Sequence, residues 1–298
     1  MTLNRSFLFV PAIREKMLEK APESEADVVV LDLEDSVPPA EKARARELAA
    51  RHAPLIAAAG RQVHVRVNAI STGLARDDVA GILGPGVSGI SLPKVEGPQE
   101  VREFDVIMRE YELERGMRPG SIGAVIWIES APGLLAVYES LTASSRVTGA
   151  ALGHEDWTAH MGIERSGAGE ELDYARNVIS VAARAAGVLA LDGPYSDFRD
   201  DEGLERECAR LKQMAIKGKF CIHPRQLPIA NKAFAPGPEE VAYARRVVEA
   251  WEQGAREGKG AVQLDGKMID IPVANRARGV LETAAAIEQR ASPPGHAR

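Results

Sequence analysis

The chain has 298 residues, room for one large α/β barrel or two ordinary domains, and its 45% hydrophobic and 27% charged residues suit a globular protein with a sizeable core. A formal net charge of -6 argues against a nucleic-acid binder, which would show a basic face. Cys208 and Cys221 have neither metal-ligand spacing nor a disulfide framework, and the N-terminal MTLNRSFLFVPA lacks the long apolar region of a signal peptide. No run approaches the ~18 uninterrupted apolar residues of a membrane span. Reduced packing cysteines and a cytoplasmic location are therefore expected.

Short apolar β-rich runs alternate with longer helical patterns along the chain. Strands are predicted at Phe7–Val10, Val28–Leu33, Val63–Val67, Gly89–Leu92, Ile122–Ile128, Val147–Leu152, Val188–Leu191 and Lys219–Ile222. Helices are predicted over Glu41–Ala59, Pro98–Arg115, Tyr174–Ala186 and Glu202–Ile216. Runs such as ADVVVLDLE and GAVIWIE are apolar almost without a break, as in parallel strands buried on both faces. Eight strand–helix alternations read as a (β/α)8 barrel over residues 1–235; a doubly wound open sheet with an extra domain is the alternative. After residue 235 the pattern changes to a helix (Glu239–Arg256), a hairpin turning at Asp265-Gly266, and a helix from about Ala274 to Glu288. This 236–298 appendix is not needed to close a barrel, so it suggests a lid or a subunit contact, and the tail ASPPGHAR is expected to fray.

In a barrel, function gathers where strands end on the C-terminal face. Those ends read Asp32, Glu34 and Asp35 after the second strand, Arg66 and Asn68 on the third, Pro93-Lys94 after the fourth, and Glu129 after the fifth. GHEDW follows the sixth, Asp192-Gly193 the seventh and His223-Pro224 the eighth. Acids from several strands around one arginine suit a hard metal ion beside an anionic substrate. Glu129 and Asp156 would offer two carboxylates to Mg2+, which keeps several non-protein ligands; equally, each could cap a following helix. Arg66 could fork a substrate carboxylate or thioester oxygen, or form an ion pair with Asp32 or Glu34. Arg14, Lys16 and Lys20 could bind the phosphates of a nucleotide-like cofactor or be a solvated helix face. A lone histidine such as His223 is more often structural. The sequence carries no CxxC, HExxH, GxSxG or P-loop motif.

In order along the chain, RSFLFVPA, ADVVVLDLEDSV, HVRVN, SLPKVE, IWIES, ALGHEDWTAHMG, DYAR, LDGPYSDFRD, KFCIHPRQ and GKMIDIPVANRAR resemble the citrate lyase beta-subunit-like family of the HpcH/HpaI aldolase superfamily, which includes malyl-CoA and citramalyl-CoA lyases. The match runs from Arg5 to about Arg278. The resemblance implies a (β/α)8 barrel, Mg2+ (with Mn2+ as a substitute) on Glu129 and Asp156, and Arg66 at the reacting oxygens. It also implies coenzyme A binding near Arg14, Lys16, Lys20 and His223. Asp270 would be a catalytic acid/base delivered by a neighbouring subunit's appendix, making a homotrimer or homohexamer with shared sites; its bland alternative is a hairpin-end carboxylate. The implied reaction splits a 3-hydroxyacyl-CoA into a short acyl-CoA and a 2-oxo acid, and the same parts could run condensation or thioester hydrolysis. Two other readings stand beside it: a citrate lyase beta subunit acting on an acyl-carrier-protein thioester, and a non-catalytic barrel scaffold. Ala12, where the family usually has Gly, and His154 and Trp157, where it has a small residue and leucine, depart from the pattern and bear on acyl-group preference.

Overall fold

The computed structural model describes residues 3–291. Eight parallel strands close in sequence order into a barrel: β1 (Ser6–Pro11), β2 (Val28–Asp32), β3 (Gln62–Arg66), β4 (Gly89–Leu92), β5 (Gly123–Ile128), β6 (Val147–Leu152), β7 (Leu189–Asp192) and β8 (Gly218–Cys221), with β8 pairing back onto β1. Each predicted strand is present, displaced by no more than one residue at either end. The open-sheet alternative is thereby excluded.

The helices are α1 (Glu15–Lys20), α2 (Lys42–Ala58), α3 (Ala75–Ile82), α4 (Pro98–Glu114), α5 (Ala131–Leu135), α6 (Val137–Leu141), α7 (His154–Met161), α8 (Asp173–Ala186), α9 (Asp201–Gln213), α10 (Leu227–Ala233), α11 (Pro238–Arg256) and α12 (Ile271–Ala291). Helix α4 shows why the long ones form: Val101, Phe104, Ile107 and Met108 are buried at helical spacing, giving an apolar stripe along one face. Several short helices were not foreseen, since five to eight residues are too few for a 3.6-residue period to declare itself. Helix α9 stops three residues before the predicted Ile216 and is capped at its start by the Asp200 carboxylate, which accepts from Gly203 N.

Strand alternation fills the barrel interior and also builds its mouth. Phe7 and Phe9, Val28 and Val30, Val125 and Trp127, Leu189 and Leu191, with Ala151 and Phe220, pack together inside, every second residue of a strand pointing inward. The aromatic rings touch, Phe7 to Phe220 at 4.6 Å and Trp127 to Phe220 at 4.4 Å between centroids. Extending the same parity toward the C-terminal ends brings Asp32 after Val30, Arg66 after His64, and Glu129 after Trp127. The top layer of the interior is therefore polar where the layers beneath are apolar.

Two compact units are present, one spanning Asn4–Asn231 and one containing Leu3 and the chain from Lys232 onward. In the second, α11 and α12 pack around Ala244, Val247, Ile269 and Ala277. Strands β9 (Val262–Leu264) and β10 (Lys267–Ile269) form the expected hairpin. Its turn residues Asp265 and Gly266 have φ of 50° and 75°, the doubly positive signature of a type I′ turn that the Asp-Gly pair favours. The tail expected to fray lies, from Ser292 on, outside the described residues.

Candidate active site

Five consecutive strands, β2 to β6, contribute to one polar cluster at the C-terminal mouth. Arg66 is its centre. Its Nε and Nη2 donate to the two oxygens of Asp32 at 2.6 and 2.8 Å, a bidentate fork. Its Nη1 lies 3.1 Å from Glu34 Oε2 and 3.5 Å from Asp35 Oδ2, and its guanidinium sits 4.6 Å above the Phe9 ring. Asp32 also accepts from the backbone N–H groups of Glu34 and Ser36, so its oxygens are fully engaged in orienting the arginine. Burial pushes the Asp32 carboxyl up, but Arg66 more than reverses this and holds it below the ordinary range. The ion-pair alternative for Arg66 is what the structure shows: it is paired with Asp32 and Glu34, at the barrel mouth.

Glu129 is 5% exposed and directly follows β5. Its Oε2 accepts from the backbone N–H of Lys94 at 3.0 Å. Its Oε1 lies against Gly153, where an added Cβ would stand 2.3 Å away, so the absence of a side chain at 153 makes the room this carboxylate occupies. Burial first, then the charges of Glu34 and Asp156, raise the Glu129 carboxyl to about 8; Arg66 and Lys94 offset this only in part. Asp156 lies in the first turn of α7, where the helix N-terminus favours a negative charge. The capping readings fail for both: Ser130 caps α5 by accepting from Gly133 N, and Gly153 is the N-cap of α7.

Lys94 links these halves, and sequence reasoning noted it only as a strand end. It has a left-handed φ of 54°, which for a non-glycine residue costs roughly 1–2 kcal/mol and turns its N–H toward Glu129. Its Nζ donates to Glu34 Oε1 at 2.7 Å and lies 3.4 Å from Asp35 and 4.0 Å from Asp156. Lys42 supports the floor, donating to the carbonyls of Leu33 and Glu34 and to Asn68 Oδ1. No sequence motif announces the positive φ of Lys94; the signal that could have found it is its place at a strand end facing four acids.

The donor set fits a divalent cation. The carboxylates of Asp32, Glu34, Asp35, Glu129 and Asp156 outnumber the cations Arg66, Lys94 and Lys42, and the burial and neighbouring acids that raise the Glu129 carboxyl are what a bound cation would offset. Among the described residues no three His, Cys, Asp or Glu side chains converge to chelate a metal unaided. A two-carboxylate site leaves other positions to water and substrate oxygens, which is the habit of Mg2+.

Other predicted residues lie apart from this cluster. Arg14, Lys16 and Lys20 are exposed at the start of α1 and along it, after β1. His223 follows β8, the neighbour of β1, so both groups share one side of the C-terminal rim. The His223 ring stacks on Phe198 at 4.7 Å, and its Nδ1 accepts from Arg225 N, which places the proton of the neutral ring on Nε2. Asp192 and His154 do not line the mouth: both are buried, with His154 bonded to Asp192 and to the Pro194 carbonyl, and Asp192 also accepting from Arg176 and Lys219. The departure at His154 is thus absorbed by a buried network rather than exposed to an acyl group. Asp270 lies in the second unit, where its Oδ1 accepts from Val273 N at 3.2 Å at the start of α12. It therefore has a capping duty at that helix start.

The HpcH/HpaI aldolase/citrate lyase family pattern matches residues 5–224. The chain is 41% identical to the citrate lyase subunit beta of Escherichia coli K12, over 94% of this chain and 93% of that one. It is 34% identical to the L-malyl-CoA/beta-methylmalyl-CoA lyase of Rhodobacter capsulatus, over 95% of each. Among solved structures, protein CitE of Mycobacterium tuberculosis in complex with magnesium, acetoacetate and coenzyme A is similar with a TM-score of 0.74 and 31% identity, covering 95% of this chain and 98% of that one. With its barrel, its mouth and these relatives in view, the chain belongs to the HpcH/HpaI aldolase/citrate lyase family.

Proposed function

We propose that the protein is a Mg2+-dependent carbon–carbon lyase that splits a 3-hydroxyacyl-CoA thioester into a short acyl-CoA and a 2-oxo acid. The observation that carries this reading is the convergence of Arg66, Glu129 and Asp156 at one barrel mouth where carboxylates outnumber cations. Glu129 and Asp156 would hold the metal, which when bound supplies Lewis-acid polarisation of the 2-oxo acid oxygens. Arg66, its Asp32 fork fixing the guanidinium plane, presents positive charge to the oxygen on which charge develops. Burial of the cluster lowers the local dielectric and strengthens that interaction. Arg14, Lys16, Lys20 and His223, on the β1–β8 side of the rim, supply cationic and stacking groups suited to a phosphorylated, adenine-bearing carrier.

Asp270 is proposed as the acid/base that moves a proton at the acyl α-carbon, delivered from a neighbouring subunit in a homotrimer or homohexamer. In this reading the unit after residue 231 serves as a lid over a partner's site.

A second reading is favoured by the 41% identity to a citrate lyase subunit beta: the same mouth would cleave a citryl thioester carried on acyl-carrier protein into oxaloacetate and an acetyl thioester. Incubating the protein and Mg2+ with malyl-, citramalyl- and beta-methylmalyl-CoA and with a citryl-acyl-carrier-protein thioester, and following products by mass spectrometry, separates the two. Cleavage of none of them refutes the lyase assignment.

A further inference from the structure

Lys94 differs from Arg66 in one respect that matters for a metal site. The Arg66 side chain is 13% exposed and clamped by two bonds to Asp32, whereas the Lys94 side chain is 37% exposed on a flexible stem. Its ammonium reaches Glu34, Asp35 and Asp156 at 2.7, 3.4 and 4.0 Å, while its backbone N–H holds Glu129. One residue therefore ties the arginine half of the mouth to the half that carries the two proposed metal ligands. A cation bound to Asp156 through a metal–oxygen bond of about 2.1 Å would lie within about 6 Å of this ammonium, two positive charges drawing on the same carboxylates.

We propose that Lys94 is a positioning residue whose ammonium is the built-in counter-ion of the acid cluster: it holds Glu34, Asp35 and Asp156 across the mouth and opposes the divalent cation, limiting its affinity so that the metal exchanges. This rests on the reading of Glu129 and Asp156 as metal ligands. Coulomb's law gives the scale. Even at the dielectric of bulk water, a unit charge about 6 Å from a divalent ion changes its affinity about tenfold. A purely structural role predicts the opposite sign, because losing a strut loosens the ligands and weakens binding.

The test titrates the full-length protein with Mn2+ alone and reads affinity by calorimetry and by the electron spin resonance of free Mn2+. Lys94→Met removes the charge and keeps the stem. Lys94→Gly removes both but adopts the left-handed backbone freely, keeping the N–H to Glu129 and guarding against misfolding. Both should bind Mn2+ about tenfold more tightly than wild type, and Lys94→Arg should stay within about threefold of wild type. Unchanged or weaker binding by the Met and Gly variants overturns the proposal, as does an Arg variant that binds as tightly as the Met variant. Absence of Mn2+ binding by wild type, or wild-type affinity in Glu129→Gln, would instead sink the metal-ligand reading, and the Lys94 proposal with it.

Discussion

Replacing Glu129 by glutamine should stabilise the metal-free protein in alkaline solution, because the folded chain buries this carboxylate beside two others. Its carboxyl is raised from 4.5 to about 8. At about 1.4 kcal/mol per pH unit, the charged form costs roughly 5 kcal/mol in the folded protein relative to the unfolded chain. Below pH 4.5 the group is protonated in both states and contributes no difference. As pH rises from 4.5 to about 8 the unfolded chain releases the proton while the folded one keeps it, so metal-free wild type loses stability; above about 8 the full loss is in place. Glutamine never titrates, and its side-chain oxygen can still accept from Lys94 N. In chelator, Glu129→Gln should melt close to wild type near pH 5 and about 10–20 °C higher near pH 9, taking about 2–4 °C per kcal/mol for a domain of this size. Millimolar Mg2+ should then raise the melting temperature of wild type near pH 9 and leave the variant unmoved. Parallel melting of the two proteins at both pH values in chelator would refute the reasoning, since no buried charge would then be at stake.

Arg66→Lys keeps the charge but loses the planar fork to Asp32, so turnover should fall about 10²–10³-fold while the melting temperature drops a few degrees; early melting with intact specific activity would make the residue structural. Asp192→Ala leaves Lys219 and Arg176 short of a buried partner and should cost about 3–5 kcal/mol in urea unfolding, whereas a loss below about 1 kcal/mol would mean the network is not load-sharing. Asp270→Asn preserves the cap on α12, because asparagine caps as well as aspartate, yet removes the proton acceptor. Mixed with inactive Glu129→Ala it should regain activity if sites are shared between subunits, and no recovery after verified subunit exchange would assign Asp270 to its own barrel or to capping alone.

What the sequence alone determined was everything governed by a short period. Apolar runs such as VVVLD and AVIWI mark strands buried on both faces, and the count and order of eight strands follow from them. The inward placement of Arg66 and Glu129 follows as well, because alternation along a strand continues past its apolar part. The hairpin turn was legible because Asp-Gly suits two positive φ angles. The tertiary structure decided what depends on residues distant in sequence. Whether Arg66 meets Asp32 or a substrate alone turns on the register of β2 against β3, which sets the two opposite each other. Lys94 became the hinge of the site only because closure of β4 beside β5 aims its N–H at Glu129, a contact that outweighs its unfavourable φ. His154 looked like a pocket residue and is buried instead, because Asp192, Arg176 and Lys219 arrive beneath it from β7, α8 and β8. Burial and charge pairing are sums over such long-range neighbours, and no local pattern in the chain encodes them.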